Sequence, residues 1–144
     1  MNPQSAPLGR SLLRAAGTLM VVFGALGIVL YLLALAGVLA LTAATGGIFS
    51  AGGDFLGVSL LLAAAISELV AGILSLRAAK NPARVGPALS VWDGLTLLLS
   101  LAGMAYIALR TGTAPLWELA LGLALCTVVP IAALCAARKV KTVD

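Results

Sequence analysis

Four long apolar stretches make up most of this chain, at about 12–42, 55–79, 85–109 and 115–137. Short runs of polar, charged or glycine residues separate them. A helix that crosses a bilayer needs roughly 20 apolar residues, and each stretch is long enough. The pattern predicts an all-α integral membrane bundle of four transmembrane helices, running up-down-up-down, as one domain over residues 1–144. The first stretch is longer than the ~7–15-residue core of a secretory signal, so it reads as a retained signal anchor. It must tilt or project beyond the hydrocarbon.

The breaks carry their own signals. Thr45 to Gly53 holds two Gly-Gly pairs and reads as a loop, with Asp54 as the cap of the second helix. Lys80-Asn81-Pro82-Ala83-Arg84 reads as a tight turn, because Asn81 suits a helix end and Pro82 cannot continue the preceding helix. Arg110 to Thr113 reads as a second short turn, followed by Pro115 in the first turn of the last helix. Pro130 predicts a kink within that helix.

Composition supports the same picture. Of 144 residues, 62% are hydrophobic and 10% charged, against about 25% charged in a soluble domain. The four spans leave no room for a soluble catalytic domain.

The net charge of +4 matters through its placement. Arg10 and Arg14 precede the first span, Arg77, Lys80 and Arg84 lie between the second and third, and Arg138, Lys139 and Lys141 follow the fourth. Arg110 alone falls in a connection on the opposite side. The positive-inside rule therefore puts both termini and the middle turn in the cytoplasm. The expected location is a cell membrane, the bacterial inner membrane in particular. Basic residues that mark one membrane face are no nucleic-acid footprint.

Candidate chemistry is sparse. There is no histidine, which removes the commonest metal ligand and near-neutral proton carrier. Cys126 and Cys135 are about 13 Å apart along one helix, too far to pair within it. No catalytic constellation, metal set or cofactor motif is present, and no enzymatic activity is expected.

What stands out is two acids inside spans, Glu68 and Asp93. A carboxylate at the bilayer centre costs at least ~2.5–3.5 kcal/mol on insertion scales, so it calls for a partner or a function. Counted from the turn between their helices, the two lie within about one helical turn of the same depth. Helical spacing gathers Leu61, Ala64, Ala65, Ala71, Gly72 and Ser75 around Glu68. The same spacing gathers Ser90, Thr96, Leu97 and Ser100 around Asp93, with Trp92 as a wall. In the first span Gly17, Gly24, Gly27, Tyr31 and Ala34 share a face, and the Tyr31 hydroxyl is a candidate donor to an acid. Glu118, beside Trp117, reads as an interfacial helix-start acid that pairs with Arg110.

Two close carboxylates in low dielectric cannot both stay ionised cheaply, and a shared proton or bound cation resolves the conflict. The expected function is a small transporter or channel with Glu68 and Asp93 as its proton or cation site. Four spans rarely enclose a pathway alone, so a homo-oligomer is expected, a dimer first. The competing reading is an accessory or scaffold protein that binds another membrane protein, its acids serving helix packing. A faint repeat, Leu32-Leu33-Ala34-Leu35-Ala36-Gly37 against Leu98-Leu99-Ser100-Leu101-Ala102-Gly103, is compatible with a duplicated hairpin.

Overall fold

The computed structural model describes residues 5–45, 48–80, 82–111, 128–129, 131–132 and 135. Among them the chain is all-helical, with three long helices: α1 (Ser5–Thr45), α2 (Ile48–Ala78) and α3 (Pro82–Thr111). All three contain segments long and apolar enough to cross a membrane, Gly9–Ala44, Phe55–Ala78 and Pro87–Tyr106. The fourth expected span, 115–137, lies outside the described residues except for five positions, all helical.

The helices run further than the apolar pattern alone indicates. α1 has 41 residues, about 60 Å at ~1.5 Å per residue. That is twice the ~30 Å hydrocarbon core, so α1 must tilt or extend past it. The glycine-rich run expected as a loop is helical from Ile48 onward, and only residues 46–47 of it lie outside the described helices. Asp54 is therefore inside α2, well past its first turn, and is no cap. Glycine carries a helix penalty of only ~1 kcal/mol per residue, and a membrane rewards internal hydrogen bonding of every peptide group. α3 starts at Pro82, where the missing N–H costs nothing. The turn before it is closed by Ala79 N–H donating to the Ser75 carbonyl (3.0 Å) and Lys80 N–H donating to the Arg77 carbonyl (3.0 Å).

α2 is the central helix. Of its apolar window 44% is buried, against 11% for α1 and 28% for α3. Among the described residues, the backbones of α1 and α3 each pack on α2 and do not approach each other. Both pairings are antiparallel. Gly17 meets Gly72 and Ser75, while Gly24 meets Ala65 and Leu69. On the other side Gly103 meets Leu60 and Leu61, and Thr96 meets Ser67. The α1–α2 seam is backbone against backbone. A Cβ on Gly24 would lie 2.7 Å from the Leu69 nitrogen, and one on Gly72 would lie 2.8 Å from the Val21 nitrogen. Small residues permit this approach, which is how helices gain packing energy in lipid.

The packing places exposed Arg10 and Arg14 at the same end as exposed Arg77 and Lys80. At that end Leu13, Ala16, Met20, Ala71, Ala78 and Leu89 form a closed core, with Leu74, Trp92 and Val129 packed against it. Leu30, Leu33, Leu41, Leu98 and Leu109 stay exposed on the outer faces, the pattern of side chains that meet lipid.

Gly24→Ala should lower stability by about 1–3 kcal/mol, because an added methyl overpacks a seam with no side chain to move aside. Gly37, with nothing within 4 Å of its Cβ position, is the control. Gly37→Ala should be neutral or stabilising by about 0.5–1 kcal/mol. Unfolding midpoints in mixed detergent micelles compare the two; equal losses would remove the tight seam.

Candidate functional site

The seam between α2 and α3 is polar where the bilayer would be driest. Ser67 is 2% exposed, Thr96 and Asp93 0%, and Ser100 3%. Thr96 Oγ1 lies 3.0 Å from Ser67 Oγ. Ser67 Oγ in turn donates to the Ala64 carbonyl at 2.8 Å. Thr96 Oγ1 also lies 2.9 Å from the Trp92 carbonyl. The hydroxyls thus link the two helices while drawing on local backbone acceptors, as serine and threonine do in apolar helices. This contact fixes the register of the hairpin and keeps Glu68 and Asp93 about 3 Å apart in depth at ~1.5 Å per residue.

The two acids have different surroundings. Asp93 is wholly buried, and neither carboxyl oxygen has a hydrogen-bond partner among the described residues. It is therefore not bonded to Glu68. Ser75 Oγ is likewise buried and unpartnered, on the side of α2 that faces Gly17. Glu68 is 7% exposed and lines a half-open cavity of about 390 Å³ between the three helices. Phe23 and Tyr31 of α1, Leu61 of α2, and Ser100 and Met104 of α3 share its walls. Asp93 is not among the described lining residues.

Of the expected supporting residues, Thr96, Ser100 and Ser75 are buried, Trp92 and Tyr31 are half-buried, and Ser90 is exposed. Ala34, placed on the glycine face of the first span by spacing, is exposed too. Glu118, Arg110's side chain and Pro130 lie outside the described residues. Ser67 is the residue that sequence reasoning passes over. It sits one position off the Glu68 face, and its role needs the hairpin register to become visible. Pro87, inside α3, also passes unnoticed; it removes a donor to the carbonyl of residue 83. No group of three or more metal-ligating side chains occurs among the described residues.

Compared with known proteins, the chain matches no protein-family model, no curated protein and no solved structure.

The Ser67–Thr96 contact should couple the two residues by about 0.6 kcal/mol, with about 1.7 as an upper limit, as for polar pairs in membrane helices. A double-mutant cycle of Ser67→Ala and Thr96→Val, read by unfolding in micelles, measures it. Strict additivity would mean the hydroxyls bond only their own helices.

Proposed function

We propose that this chain is a small multi-pass membrane transporter or channel that handles a proton or cation at Glu68 and Asp93. The observation that carries this reading is Asp93, wholly buried with both carboxyl oxygens unpartnered among the described residues. An acid kept for packing earns its place by hydrogen bonding, since an unsatisfied buried polar group costs about 1–3 kcal/mol and a charged one more. Asp93 has no such bond among the described residues, and an ionisable residue inside a membrane marks an ion or proton pathway by default. Glu68, about a helical turn or less away in depth, opens to a cavity and offers an entry step.

The rest of the proposal follows from charge and length. Residues 115–137 supply the fourth span, up-down-up-down, in a cell membrane of the bacterial inner-membrane kind. Both termini and the Lys80–Arg84 turn face the cytoplasm, supported by the basic side chains gathered at one end of α1 and α2. A bundle this small needs a second copy to enclose a pathway, so the working form is a homo-oligomer, a dimer first. No chemical transformation is assigned to it.

In proteoliposomes carrying a pH-sensitive dye and an imposed proton or potassium gradient, the wild-type chain should give flux above protein-free vesicles. The double variant Glu68→Gln, Asp93→Asn should lose at least about 90% of it, the tenfold that removal of a site charge implies, with its oligomeric state unchanged on sizing columns. Full flux in the double variant would leave the accessory or scaffold reading.

A further inference from the structure

The groove that holds Glu68 has a chemistry of its own. Its floor is α2, and its sides are α1 and α3, whose backbones do not approach each other among the described residues. Phe23, Tyr31, Leu61 and Met104 make it largely apolar, and Ser100 adds one hydroxyl. Glu68 brings the sole carboxylate among the described lining residues, itself 93% buried by its 7% exposure. The volume of about 390 Å³ falls within the ~300–1,000 Å³ usual for sites that hold small organic ligands. The apolar walls add nothing to the hold on a bare inorganic cation, which only the polar groups of the groove would contact. A primary ammonium fits little better, since it carries three donors and the groove presents few acceptors.

We propose that this groove is a binding site for a lipophilic organic cation, a quaternary ammonium or phosphonium with an aromatic or branched apolar body. Such a cation has no N–H to satisfy and a diffuse charge that loses little on leaving water. Its body replaces lipid against Leu61 and Met104. Its charge is countered by Glu68 and by the faces of Phe23 and Tyr31, since aromatic rings attract cations within about 6 Å of their centroids. The half-open side lets such a molecule enter from the bilayer, where it already partitions.

The inference builds on the reading of Glu68 as an ion site, but equilibrium binding tests it without any flux. The full chain in lipid nanodiscs is titrated with methyltriphenylphosphonium, and the neutral triphenylphosphine oxide serves as the size-matched control. Saturable binding is expected, with the neutral compound and the Glu68→Gln variant each weaker by at least about tenfold. Met104→Trp, which fills the groove and keeps the carboxylate, should also weaken binding by at least about tenfold; it serves if Glu68→Gln does not fold. No saturable binding, equal affinity for the neutral compound, or binding untouched by these substitutions would overturn the proposal. Binding without flux would remove the transport reading and leave the site. Flux of protons or potassium without binding would do the reverse.

Discussion

Gly24 and Gly72 bring the backbones of α1 and α2 into direct contact, and most of the molecule's arrangement follows from that approach. Lipid gives helices no hydrophobic reason to associate, so packing distance decides. With Leu69 and Val21 backbone atoms within 3 Å of where a Cβ would stand, neither position admits a larger residue. The contact makes α2 the shared partner of both neighbours and sets the depth at which α1 presents Phe23 and Tyr31. The groove in front of Glu68 exists because α1 is held on one flank of α2 while α3 occupies the other.

The second constraint is dryness. A membrane interior offers no water to satisfy stray polar groups, and the α2–α3 seam meets that demand for Ser67 and Thr96 by pairing them. It does not meet it for Asp93 among the described residues. One hairpin thus contains a satisfied polar contact and, about three positions away in depth, a carboxyl without a partner among the described residues. Sites that break local rules of polar satisfaction are where function is expected to lie. On the transport reading proposed above, Asp93, enclosed, and Glu68, facing a cavity, would serve as an inner and an outer acid.

The all-helical class and three membrane-length helices were legible because hydropathy over ~20 residues is a strong signal. The depth match of Glu68 and Asp93 was legible because the short connection between Ala78 and Pro82 leaves little freedom in register. The Gly17, Gly24 and Gly27 face was legible from spacing, but its reach was not. Ala34 lies on the same stripe and is exposed, so the stripe runs past the buried part of the seam. The glycine-rich run after Thr45 misled, since glycine's turn preference in water gives way to helical hydrogen bonding in an apolar setting. Ser67 and the groove stayed hidden for a common reason. Both arise between helices, and no single helix's periodicity contains them.

The claim on which the rest stands is that Asp93 is kept for function at a cost in stability. Equilibrium unfolding of Asp93→Asn in mixed micelles at neutral pH, against wild type, tests it most directly. The substitution keeps shape and removes an ionisable group that has no hydrogen bond to lose among the described residues. The expected result is stability equal to wild type or higher, as when an unpaired buried charge is neutralised. A loss of about 1–3 kcal/mol, the size of a broken buried hydrogen bond, would instead make Asp93 a structural acid and contradict the reading.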